Sequence, residues 1–107
     1  MAKLCELTCS ACRGEADRLS EGQARELLGQ LVGWELIEGR LLSKAWKFPD
    51  FAAALAFVNR VGALAESQQH HPDVHLGWGR VRIEVWTHKV KGLTQSDFIL
   101  AAKLDQL

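Results

Sequence analysis

The chain lacks an excess of charge of either sign: 13 Lys and Arg stand against 13 Asp and Glu in 107 residues. An electroneutral chain has no net electrostatic reason to seek nucleic acid or an anionic membrane, which argues against direct binding of either. It also lacks any apolar run approaching the roughly 20 residues needed to span a bilayer. The opening MAKLCELTCS has no secretory apolar stretch. These absences predict a cytoplasmic protein. Cysteine is scarce and confined to Cys5, Cys9 and Cys12. An odd number of thiols cannot all close into intramolecular disulfides, which fits a reducing compartment. The C-x-x-C spacing of Cys9 and Cys12, with Cys5 as a third thiolate, suits zinc or a redox pair. No fourth ligand is evident, so reduced thiols in a solvated arm are favoured over a metal clip. No internal repeat or low-complexity segment interrupts the chain. At this length one domain with a single modest core is expected, with residues 1–19 as a polar, cysteine-containing arm and residues 20–107 as the folded unit.

What is present is a regular alternation of two hydrophobic periods. Ser20 is placed to cap a helix whose Ala24, Leu27, Leu28 and Leu31 recur at three and four, with Gly33 placed to end it. Trp34 and Leu36, then Leu42, Lys44 or Ala45, Trp46 and Phe48, alternate as a hairpin turning at Glu38 and Gly39, with the register past the turn left open. Pro49 closes that segment. Asp50 then caps a long helix with Phe51, Ala54, Leu55, Val58, Val61, Gly62 and Ala65 on one face. That helix cannot run past Gln69, because Pro72 disfavours helical dihedrals at His71 and has no amide hydrogen to donate. A second hairpin turns near Gly77 to Gly79, with Val81, Ile83 and Val85 on one face and Arg80, Arg82, Glu84, Trp86 and His88 on the other. Thr94 or Ser96 caps a last helix carrying Phe98, Ile99, Ala102 and Leu104. Helix, hairpin, helix, hairpin, helix describes an α+β domain, a four-stranded, mainly antiparallel sheet with three helices on one face.

The histidines are distributed less evenly. His70, His71 and His75 fall within nine residues of one another and of Trp78, and His88 is the fourth. Metal binding is disfavoured: Pro72 prevents the helix that would align His71 with His75, and on a strand the two lie about 13 Å apart. For His75 a satisfied surface role is favoured. Adjacent histidines just beyond a helix end, with another after a strand, point instead to acid–base chemistry. Neutral and protonated imidazole coexist near neutral pH, so one ring can give a proton while another takes one. With no metal or nucleophile evident, addition or elimination of water is the reaction class that needs both.

The residues Glu66, His70, His71, Pro72, Trp78, His88 and Asp97 stand at spacings that together resemble the active-site signature of the pterin-4a-carbinolamine dehydratases. GWEL, WKFPDF, ALAFVNRV and LTQSDFILAAKLDQL are similar to the family as well, from the first helix to the end of the chain. The resemblance implies a lyase that dehydrates 4a-hydroxytetrahydropterin to quinonoid dihydropterin in tetrahydrobiopterin recycling, with no cofactor. By the same resemblance His70 and His88 are the acid–base candidates, and His71 orients the ring and stabilises charge on it. Glu66 either sets the state of a histidine or is merely solvated, and the two stand even. Asp97 supports the site or favours the helix dipole, and the motif tips it toward the site. Thr87 would contact the pterin only if its strand is ending. Trp78 is equally wall or core. The family assembles as dimers or tetramers, which implies a homo-oligomer, and the hydroxylation of aromatic amino acids implies a hydroxylase as functional neighbour. Two other functions stay open: a protein-binding or dimerisation module, and a dehydratase for another pterin, including one near molybdopterin.

Overall fold

A computed structural model describes residues 4–6 and 18–107. Cys9 and Cys12, and with them the choice between metal clip and free thiols, lie outside the described residues. The elements run α1 (Glu21–Leu28), β1 (Glu35–Ile37), β2 (Leu41–Lys47), α2 (Phe51–Gln68), β3 (Asp73–Gly77), β4 (Arg80–Val85) and α3 (Gln95–Leu104). Short 3₁₀ turns occupy Leu4–Glu6 and His88–Val90. The fold is α+β, and the sheet is antiparallel throughout, in the order β1-β2-β4-β3. No helix among the described residues is long and apolar enough to cross a membrane.

The caps fall where the sequence puts them. The Ser20 hydroxyl accepts from the Gln23 amide, while the Gln23 side chain returns to the Ser20 amide, satisfying two N-terminal donors reciprocally. Asp50 accepts from Ala53 N at 2.8 Å and starts α2. Of the two candidate caps for α3, Thr94 is the one used, and Ser96 lies buried in the first turn. One boundary differs: α1 ends at Gly29 rather than at Gly33. Gln30 and Leu31 donate to Leu27 and Leu28, three residues back, so the last turn tightens. Val32 is 78% exposed, and no further burial sustains the helix.

The inner face of the sheet carries Leu42, Val81, Ile83 and Val85, all without solvent contact, under Ala54, Phe57 and Val61 of α2 and Phe98 and Leu100 of α3. Trp46 and Phe48 flank Phe57 with ring centroids 5.0 and 5.2 Å away. The register left open past the first turn is settled by pairing: Lys44 faces Ile83 across the ladder, so Lys44 points inward and Ala45 outward. A lysine is tolerated there because its ammonium bonds Asp105 Oδ1 at 2.7 Å and the Val32 carbonyl at 2.9 Å, and lies 5.2 Å from the Trp46 ring centroid. Trp34 donates to the same Asp105 carboxylate, fastening the end of α3 to the start of β1.

The second hairpin turns tightly against the end of the first. Phe48 N donates to Gly79 O at 2.8 Å, and a Cβ at Gly79 would lie 2.8 Å from the Phe48 carbonyl oxygen. Gly62, within α2, has nothing within 4 Å of an added Cβ. Urea denaturation is therefore expected to show Gly79→Ala losing about 1–3 kcal/mol through backbone overpacking. Gly62→Ala should gain about 0.5–1 kcal/mol through helix propensity and a less flexible unfolded chain. Equal effects at the two positions would contradict the packing described.

Candidate active site

Two helix ends and one strand end meet at the same edge of the sheet. Helix α2 stops with Gln69 in the left-handed conformation (φ 52°), and His70 N reaches back to Ala65 O at 3.2 Å, the bonding of a Schellman-type end. His70 thus leaves the helix in a fixed direction. Pro72 follows, and the chain enters β3 at Asp73, which pairs opposite Glu84. Strand β4 ends at Val85, earlier than its alternation suggests. Thr87 pairs instead with Gly92 in an isolated bridge, and the chain turns through His88–Val90. The expectation that His88 projects from the strand face opposite Val81, Ile83 and Val85 is corrected to this extent: His88 opens the 3₁₀ turn after the strand.

Each histidine meets a carboxylate through Nε2, but in very different surroundings. His70 Nε2 lies 2.6 Å from Asp97 Oδ1, with 13% of the histidine side chain exposed and none of the aspartate. Asp97 Oδ2 accepts from the Thr87 hydroxyl at 2.7 Å and from Thr94 N at 2.8 Å. A buried carboxylate is tolerable only with such donors around it. Asp97 therefore closes the capping arrangement at the start of α3 and bonds His70 at once. Thr87, with its strand ended, is buried and directed at Asp97. A carboxylate accepts and does not donate, so His70 carries its hydrogen on Nε2 in the neutral ring, and Nδ1 is the nitrogen left over.

His71 and Glu66 pair at 2.5 Å, both largely exposed at 61% and 77% of the side chain. His88 stacks edge-on against Trp86, with centroids 4.0 Å apart, and its Nε2 lies 3.8 Å from Asp73 Oδ2. The same Asp73 oxygen accepts from Trp86 Nε1 at 3.0 Å. Asp73 thus ties the exit of β4 to the entry of β3. A concavity of about 370 Å³ borders His88 and Trp86 together with Ile37 and Leu41.

A family model for pterin 4 alpha carbinolamine dehydratase matches residues 17–107. The chain belongs to that family. A relative from Rubrobacter xylanophilus, assigned by name to the same dehydratase, is 49% identical over 107 residues and aligns along the whole of both chains. One from Nitrosococcus oceani is 49% identical over 110 residues, covering all of this chain and 97% of its own. Among solved structures, the transcriptional coactivator/pterin dehydratase of Brucella melitensis superposes with a TM-score of 0.77 at 33% identity, covering 83% of this chain and 96% of its own. A pterin dehydratase-like RuBisCO assembly factor of the alpha-carboxysome gives 0.59 at 25% identity, covering 69% and 87%. A carbinolamine dehydratase is a hydro-lyase, and membership implies a pterin as substrate.

Seen as a carbinolamine dehydratase, the chain brings six of its seven sequence-predicted site residues to this edge: Glu66, His70, His71, Thr87, His88 and Asp97. Trp78 is not among them. It sits on the β3–β4 turn, at the far end of the hairpin, and is 71% exposed. His75 is taken up by Glu84 at 2.8 Å, the satisfied surface role expected of it. Asp73 is the residue that sequence reasoning missed. Its only sequence cue is its place directly after His-His-Pro, and a lone carboxylate at a strand start has no period to mark it. Among the described residues no three His, Cys, Asp or Glu side chains converge to hold a metal ion.

The contrast between the two carboxylate–histidine pairs has a stability consequence. Asp97→Ala leaves the Thr87 hydroxyl, the Thr94 amide and His70 without their buried acceptor and is expected to cost about 3 kcal/mol. Glu66→Ala, in solvent, should stay within about 0.5 kcal/mol. Chemical denaturation of both variants checks this, and comparable losses would contradict the burial argument.

Proposed function

We propose that the protein dehydrates 4a-hydroxytetrahydropterin to quinonoid dihydropterin and water, with His70 and His88 as the acid–base pair. The observation that carries this reading is His70 held through Nε2 by the fully buried Asp97, which leaves Nδ1 to exchange a proton with substrate. The 4a-hydroxyl is a poor leaving group until it gains a proton. Loss of the proton on N5 lets that nitrogen's electron pair form the new double bond to C4a as water departs. One proton is delivered and one removed, so the two imidazoles are restored by a net proton transfer between them. His71, steadied by Glu66, orients the ring and stabilises charge on it. Asp97 and Thr87 fix His70, and Asp73 with Trp86 fixes His88. The reaction follows the hydroxylation of aromatic amino acids and returns the pterin for recycling.

The assembly is proposed to be a homodimer or homotetramer. Strands β1 and β3 are open sheet edges, and Phe51, Leu55, Val74 and Trp78 are exposed apolar side chains at 44%, 41%, 38% and 71%. A symmetric oligomer covers both kinds of surface. Sedimentation velocity at micromolar concentration is expected to give a dimer or tetramer, and a monomer alone would contradict it.

A binding-module reading draws on the coactivator and assembly-factor roles of the two structural neighbours. The enzyme is favoured because the matching family model and the relatives aligned along the whole chain are those of the dehydratase. Ultraviolet stopped flow on chemically generated 4a-hydroxytetrahydropterin is expected to show acceleration by the protein. His70→Ala and His88→Ala should each lose about 10²-fold or more at matched circular dichroism, and His71→Ala should mainly raise KM. Near-normal turnover in the folded His70 and His88 variants would refute the assignment, and no acceleration by the unmodified protein would move the function to the binding module or another pterin.

A further inference from the structure

We infer that the concavity beside His88 receives the substituent at C6 of the pterin and selects substituents bearing an anionic oxygen group, a carboxylate or a phosphate ester. The inference rests on the proposed pterin site and deepens it. In a pterin, C6 is bonded to N5, and N5 is bonded to the C4a that loses water. Any C6 substituent therefore leaves the ring beside the atoms where protons are exchanged. The concavity touches His88, one of the two histidines proposed to exchange those protons, and so is placed to receive such a group. At about 370 Å³ the concavity falls within the range of roughly 300–1,000 Å³ common for small-molecule sites.

Its lining argues the chemistry. Ile37, Leu41 and the Trp86 indole make an apolar floor suited to the carbon part of a substituent. Arg40 and Lys91 stand at the rim, both exposed and neither in an ion pair among the described residues. Glu38 supplies the single opposing charge, so two cations face one carboxylate even with His88 neutral. Unpaired Arg and Lys beside an apolar floor match carboxylate or phosphate oxygens.

The backbone fixes where these side chains stand. Among the described residues three non-glycine residues have positive φ: Glu38 at 52°, Gln69 at 52° and Lys91 at 51°. Two of them line this concavity and the third directly precedes His70. Gln69 and Lys91 take the left-handed conformation as helix C-caps, and Glu38 takes it in the first hairpin turn. That conformation sets Lys91 at the mouth, one turn after His88.

The test is equilibrium binding by pterin fluorescence, with 6-carboxypterin and the phosphate ester of 6-hydroxymethylpterin compared against uncharged 6-hydroxymethylpterin. The anionic pterins are expected to bind about three- to tenfold more tightly at low ionic strength, as two exposed cations allow, and the advantage should shrink as salt is added. In the double variant Arg40→Gln, Lys91→Asn the ratio should fall to near one; asparagine is chosen because it tolerates the left-handed conformation. An advantage for one anion alone assigns carboxylate or phosphate within the inference. Equal binding of charged and uncharged pterins, or an advantage indifferent to salt, overturns the inference and leaves the dehydratase reading intact. Failure of all three pterins to bind overturns both.

Discussion

A single buried carboxylate organises this edge of the molecule. Asp97 has no solvent contact, so its charge must be met by donors from the protein itself, and the three that meet it come from three parts of the chain. Thr94 N belongs to the start of α3, the Thr87 hydroxyl to the end of β4, and His70 to the exit of α2. Satisfying Asp97 therefore docks a helix start, a strand end and a helix end against one another. The same bonds fix which nitrogen of His70 carries a hydrogen. Stability and the proposed chemistry rest on one set of contacts, because the group that must be neutralised in the core also bonds Nε2 of the His70 ring.

The other histidine contacts grade outward from this point. His88 is held more loosely, by an edge-on stack on Trp86 and a distant carboxylate at Asp73, and His71 by a partner in full solvent. His70, 13% exposed and bonded to a buried carboxylate, and His88, 56% exposed, are the two groups to which the proposed proton transfers are assigned. The concavity beside His88 lies between the first hairpin turn and the turn after β4, so strand order also decides which residues line it. Because the start of β2 pairs with the end of β4, the turn at Glu38 and Gly39 comes to the same end of the sheet as the histidines.

Much of this was legible in the sequence, for reasons that differ by level. The four strands and three helices follow from apolar periods of two and about 3.6, and the caps at Ser20, Asp50 and Thr94 from side chains that satisfy free amides. The signature from Glu66 to Asp97 marked five of the six residues that the fold gathers, and Thr87 was marked by its place beside His88. Illegible were features set by pairing across the sheet or by a single long-range bond. The inward turn of Lys44 depends on Asp105, sixty-one residues away. The early end of β4 depends on the bridge from Thr87 to Gly92, which alternation does not encode. Asp73 acquires meaning only when β4 returns beside it, and Arg40 and Lys91 only when two turns meet. Trp78 shows the converse: it sits in the signature by spacing yet stands at the opposite end of the hairpin.

The state that Asp97 imposes on His70 is read directly by nitrogen-15 NMR of the imidazole rings. In the neutral ring of folded protein, the His70 correlations are predicted to show hydrogen on Nε2 and a bare Nδ1. A ring protonated on Nδ1 instead, with Nε2 bare, would contradict the account, because the nitrogen proposed to exchange a proton with substrate would be the one already carrying it and the bond to Asp97 would have no donor.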